Sequence, residues 1–138
     1  MRRGPVRRDE EYLRVGIVAP VRRSTKRADL AALLSALTAI DRYQIAVFNL
    51  PPLYDAGVRY IREGAQPREE WRSAVEVIEN GGGDCEDLAT YRAAELQLSG
   101  EDARAIAVRS SLGWHIVVRR GDGSIEDPSA RLGMLGEG

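Results

Sequence analysis

The stretch "GGGDCEDLATYRAAEL", residues 81–96, holds the only cysteine of the 138-residue chain, Cys85. Gly81, Gly82, Gly83 and Asp84 precede the thiol, and Glu86 and Asp87 follow it. Asp84 is a good helix N-cap, and Asp87 three residues on closes a capping-box-like pair. The pattern predicts a helix over 85–98, ended by Ser99-Gly100, with Leu88, Tyr91, Ala94, Leu96 and Leu98 on its apolar side. Cys85 then falls in the first helical turn. There the unpaired backbone N–H groups and the helix dipole favour a thiolate, and the same N–H groups can hold an oxyanion. The glycines keep side chains away from the sulfur, so that a substrate backbone can approach. No Lys-Ser/Thr follows them, which excludes a phosphate-binding loop.

On the C-terminal side, "ARAIAVR" (103–109) alternates as a strand with Ile106 and Val108 on one face. After a turn at "SSLG" comes "WHIVVRR" (114–120), with Trp114, Ile116 and Val118 on one face and His115, Val117 and Arg119 on the other. "GDG" turns again into "SIEDPSA" (124–130), a third strand that Pro128 must end or place at an edge. The expectation is a helix followed by a three-stranded antiparallel meander, an α+β arrangement. A three- or five-residue loop pairs residues whose numbers sum to 242, placing Asp127 opposite His115 on the same face. A two-residue loop would put the two on opposite faces.

On the N-terminal side, "PREEWRSAVEVIENGGG" reads as a helix with Pro67 near its start and Gly81 at its end. "VRYIREG" is ambiguous, and "NLPPLYDAG" breaks the chain before it. In "RADLAALLSALTAIDRYQIAVF", Leu30, Leu33, Leu34, Leu37 and Ile40 recur at helical spacing and continue toward Ile45 and Phe48. That face suits a core or an oligomer contact. Residues 12–19, "YLRVGIVA", suit a short strand or extended segment, and residues 1–11 a tail.

Length and composition fit one domain with a modest core, 43% of residues being hydrophobic. One cysteine excludes an internal disulfide and a Cys-rich zinc site. No apolar run near 18 residues is evident, so no transmembrane helix is expected. "RVGIVAP" is too short for the apolar region of a signal peptide, so a cytoplasmic or phage-type protein is expected. Residues 1–27 carry nine Arg/Lys against three acidic groups, or +6; residues 28–138 carry eleven against eighteen, or −7. The organisation read from this is a basic arm over 1–27 and a single domain over 28–138. Such an arm suits nucleic acid or an acidic protein surface, or is simply a solvated terminus.

Cys85, His115 and Asp127 form a nucleophile, base and orienter in chain order. Singly, each has a plainer reading: a small buried hydrophobe, a structural histidine beside Trp114, turn chemistry before Pro128. Together, with the cysteine in a first helical turn and both partners on the following hairpin, they point to a thiol site.

"GDCEDLA", "WH" about 30 residues on, and "DGSIEDPSA" resemble the transglutaminase-like cysteine-peptidase superfamily, especially its short bacterial and phage-encoded members. The match covers roughly residues 70–134, and "LYDAGVRYIRE" looks like phage-associated relatives. The resemblance implies a papain-like core over about 67–134, a cysteine-bearing helix packed on a small antiparallel sheet, here with extra N-terminal helices. It implies Cys85 as nucleophile, His115 as general base and acid, and Asp127 as the imidazole orienter. It implies cleavage or transfer of acyl groups at amide bonds of a protein or peptide through a thioester. No cofactor is required, but the positions matching Asp84 and Glu86 bind calcium in bacterial proteinases of this group. Carboxylates beside Cys85 would raise its pKa, and a hard dication would cancel that charge. Neither Gln66 nor Trp71 is fixed as an oxyanion donor. The alternative is a virion or assembly protein using the fold as a binding module, through the basic arm and the helix at 27–48. A nucleic-acid binder rests on the arm alone, with no aromatic stacking pattern behind it.

Overall fold

The computed structural model describes residues 24, 26–62, 70–111 and 113–134. Most of the expected basic arm, the segment 12–19, Gln66 and Pro67 lie outside the described residues. The fold is α+β.

Helix α3 (Cys85–Leu98) forms where the sequence places it, and its entry shows why. The Asp84 side chain accepts from the N–H groups of Cys85 (2.8 Å) and Asp87, and Asp87 Oδ2 accepts from Asp84 N at 3.1 Å. The capping box thus satisfies donors that a helix start leaves orphaned. Two faces of α3 are buried, not one. Leu88, Tyr91 and Ala94 pack with Leu53, Val58, Val75 and Ile78. Ala89, Ala93 and Leu96 pack with Leu34, Ala103, Ile116 and Val118. Leu34 and Leu88 are fully buried, each worth about 1.5–3 kcal/mol relative to exposure. Leu98 departs from the expected apolar side: it is exposed, at the last residue of the helix.

Helix α1 (Lys26–Phe48) packs on α3 and on strand β3 (Arg104–Ser110) through Leu30, Leu34 and Leu37. Ile40, expected on that inner face, is 49% exposed, and Asp41 is buried in its stead. Asp41 Oδ1 accepts the Ala74 N–H at 2.7 Å and so ties α1 to the start of α2 (Ala74–Asn80). Burial pushes this carboxyl well up. By length and composition α1 could cross a membrane, with a hydropathy of 1.3 over an 18-residue window, contrary to the expectation of no such segment. Its inner face is nevertheless part of the core.

Helix α2 begins later than the expected start near Pro67. Ser73 and Glu76 form the capping box, and Gly81 ends the helix at φ 80°. Trp71 and Arg72 precede it as irregular backbone because Asp87 Oδ1 takes the Arg72 N–H at 2.6 Å.

The expected meander is present. Strands β3, β4 (Gly113–Arg119) and β5 (Ile125–Glu126) lie in that order, antiparallel. The second hairpin has a three-residue loop, with Arg120 N bonded to Ser124 O at 2.7 Å. It is centred on Asp122, so paired numbers sum to 244 (Val118 with Glu126), not 242. Asp127 is therefore diagonal to His115 and not directly opposite; an even sum still keeps both on one face. β5 is only two residues long, because Pro128 opens a short helix, α4 (Pro128–Arg131), with Asp127 as its N-cap.

A second, parallel pair joins β1 (Arg59–Tyr60) to β2 (Gly82–Gly83), a pairing the sequence left unread. It explains two of the glycines. A Cβ on Gly82 would lie 1.9 Å from Arg59 O, at a φ of 153°, and one on Gly83 would lie 2.7 Å from Asp87 Cβ. Close approach of Arg59 and Asp87, rather than access for a substrate, demands glycine there.

Candidate active site

Three elements converge on one open cleft of about 720 Å³. The start of α3 brings Asp84, Cys85 and Glu86; β4 brings Trp114 and His115; β1 brings Tyr60. Cys85 is half-buried at the first position of α3 and packs beside Ala89 and Ile116 in the core cluster. Ile116, on the strand that carries His115, presents its backbone N–H toward the sulfur and favours its charged form.

His115 is buried, and its Nε2 lies 2.9 Å from Asp127 Oδ2. Asp127 Oδ1 accepts the Ala130 N–H at 3.2 Å, so one carboxylate both caps α4 and holds the imidazole. The neighbouring Glu126 anchors this corner. It accepts from Tyr54 Oη, from Arg92 Nε at 2.8 Å and from Arg120 Nη1 at 2.8 Å. Burial pushes the Glu126 carboxyl up, but these donors outweigh it and hold it below the ordinary range. With Nε2 committed to Asp127, Nδ1 is the ring nitrogen left to exchange a proton with a group in the cleft.

The sulfur is set up as a neutral thiol. Burial raises its pKa far above the usual value; Glu86, then Asp84, add to the rise, and the Ile116 N–H opposes it. Glu86 Oε1 sits 3.5 Å from Sγ. The helix-start stabilisation of a thiolate expected from the sequence is outweighed by burial and Glu86, and Asp84 already occupies the first-turn N–H groups of Cys85 and Asp87. Those N–H groups are likewise not open to an oxyanion while Asp84 holds them.

Tyr60 is a site residue that the sequence reading missed. It stands beside Asp84, and burial followed by Asp84 pushes its pKa up. Only the pairing of β1 with Gly82-Gly83 brings it there, and no local pattern in "VRYIREG" announces a parallel pair. Trp71 does reach the cleft. Asp87 fixes the backbone after it, since its carboxylate holds Arg72 N and lies 3.8 Å from the Arg72 guanidinium.

The ligand atoms of Asp84, Cys85 and Glu86 lie within 4.8 Å of one another. Two carboxylates offer the hard oxygen donors that calcium takes, whereas a thiol does not. Asp84 and Glu86 are thus two hard donors beside the sulfur, of the roughly six to eight oxygens that calcium takes. Compared with known proteins, the chain matches no family model, no curated protein and no solved structure.

Proposed function

We propose that this protein is a thiol-dependent amide-bond hydrolase or acyl-transferase on a papain-like, transglutaminase-like core. The observation that carries the reading is that His115, its ring held by Asp127, lines the same cleft as Cys85. In this reading His115 Nδ1 takes the thiol proton as sulfur attacks the amide carbonyl carbon. A tetrahedral intermediate forms, His115 returns the proton to the leaving amine, and the C–N bond breaks to leave a thioester on Cys85. Water or an amine then attacks the thioester carbonyl carbon and gives a proton to His115; the C–S bond breaks, and His115 returns that proton to the sulfur, releasing the acid or the new amide. Asp127 keeps the ring oriented and stabilises its charged form.

A thiol held neutral at rest suits this order of events, because deprotonation is coupled to attack instead of preceding it. Bound calcium would supply positive charge against the carboxylates flanking the sulfur. Asp84 and Glu86 would hold it.

The test is acyl-enzyme capture. The full-length protein is incubated with activated peptide thioesters and amides and read by intact mass. A mass addition at Cys85, absent in Cys85→Ala with an unchanged melting temperature, supports the reading. No addition under any condition, with the protein folded, overturns it.

A second reading, a binding module of a virion or assembly, is favoured by one feature. Ile40, Tyr43 and Val47 stand exposed at i, i+3 and i+7 along the outer face of α1. Retained assembly in a Cys85→Ala, His115→Ala variant would support that role.

A further inference from the structure

The mouth of the cleft is more basic than a body with net charge −7 would lead one to expect. Lys26 and Arg62 line it, and Arg62 is exposed. Trp114, also in its wall, carries two more cations: the Arg27 and Arg109 guanidinium carbons lie 5.6 and 5.2 Å from the ring centroid. Among the described residues, none of these four side chains forms an ion pair with a carboxylate. Two guanidinium groups sharing one ring repel each other, and an anion bridging them would relieve that repulsion. The floor has the opposite sign. Asp84 and Glu86 flank the thiol, and Glu86 is buried. The charge is therefore layered, cations outside and carboxylates inside.

We propose that the cleft binds acidic peptides, with Lys26, Arg27, Arg62 and Arg109 receiving acidic side chains on residues flanking the bond to be cleaved. The inner carboxylates exclude an acidic residue at the acyl position itself. Flanking residues of an extended peptide stand ~3.3 Å apart per step, so their side chains reach the rim while the scissile carbonyl reaches Cys85. The proposal names the substrate class for the thiol reading and, as substrate recognition, rests on it.

Both tryptophans of the chain, Trp71 and Trp114, line the cleft, so their emission reports its occupancy without requiring turnover. The full-length protein is titrated with acetylated, amidated tetraglutamate, with the matching tetralysine, and with a short oligothymidylate. In a parallel arm, acyl-enzyme formation at Cys85 from an activated peptide thioester is followed by intact mass. The expected result is a saturable response to tetraglutamate alone. It should weaken roughly 2- to 5-fold in Arg62→Gln or Arg109→Gln and fade as salt shortens the screening length below about 8 Å. Equal responses to tetraglutamate and tetralysine, or no saturable response to tetraglutamate, overturn the proposal. A stronger response to oligothymidylate overturns it in favour of a nucleic-acid site. An acyl-enzyme at Cys85 with no tetraglutamate response leaves the thiol reading standing and removes this one. Tetraglutamate binding with no acyl-enzyme at Cys85 does the reverse, supporting an acidic-peptide site and removing the thiol reading.

Discussion

Asp127 accepts from His115 Nε2 at 2.9 Å with one carboxylate oxygen and from Ala130 N at 3.2 Å with the other. The same side chain therefore serves the local fold and the imidazole, and two substitutions separate these duties. Asp127→Ala removes both and should cost about 1 kcal/mol through the lost cap. Asp127→Asn keeps acceptor capacity for the cap, so its melting temperature should stay close to that of the parent. Both should slow alkylation of Cys85 at neutral pH if the imidazole moves the thiol proton. Alkylation of Asp127→Asn at the parent rate would reduce Asp127 to a cap.

Glu86 is the charged group that most strongly opposes ionisation of Cys85. Gln has nearly the same shape and no charge. Glu86→Gln should move the pH midpoint of Cys85 alkylation downward, by roughly 1–3 units if one neighbouring charge acts here as strongly as it does in an Asp–Arg pair. An unmoved midpoint would mean that burial alone holds the thiol neutral.

Calcium should act in the same direction by another route. Millimolar calcium, within the range weak protein sites require, should raise the melting temperature and speed Cys85 alkylation. A chelator should reverse both, and Asp84→Asn should abolish both. A melting temperature indifferent to calcium would leave Asp84 as a helix cap and Glu86 as a buried acid.

Asp87 carries a pH dependence of stability. Burial pushes its carboxyl up to about 7, against donation from Arg72 N and Asp84 N. Between its ordinary 3.8 and about 7, the folded chain keeps the proton and the unfolded chain releases it. Stability should therefore fall as pH rises through that window, by linkage. Asp41, also raised, slopes the same way, so the comparison is with Asp87→Asn, which retains Asp41. Denaturant midpoints of the parent should decline more steeply from pH 4 to pH 7 than those of Asp87→Asn. Parallel curves would mean that Asp87 stays ionised in the fold.

Much of this was legible in the sequence because it is local. Asp84 and Asp87 announced the start of α3, and the alternation at 103–120 announced β3 and β4. A loop of three or five residues also followed from local turn chemistry; the structure has three, centred one residue later than expected because Gly121-Asp122-Gly123 offers glycine on both sides. What stayed hidden is non-local. Ala89 and Ala93 bury a second face of α3, yet alanine carries little weight in a hydrophobic pattern. Asp41 reads as a surface residue until Ala74 N is found waiting for it. Tyr60 joins the cleft only through a parallel pair formed with residues far along the chain.

That pair yields the sharpest structural prediction. A methyl group on Gly82 would stand 1.9 Å from Arg59 O, a backbone atom that cannot swing aside, and the residue would be held at φ 153°. Gly82→Ala should cost about 3 kcal/mol or more, the upper range for forced overpacking. It should also displace Tyr60 from Asp84. Gly123, at φ 88°, has open space around its Cβ position. Gly123→Ala should cost only about 1 kcal/mol, from backbone strain alone. Chemical denaturation of the two variants measures the difference. Comparable losses would mean that β1 can move off β2 without consequence, and Tyr60 would then have no fixed place beside the thiol.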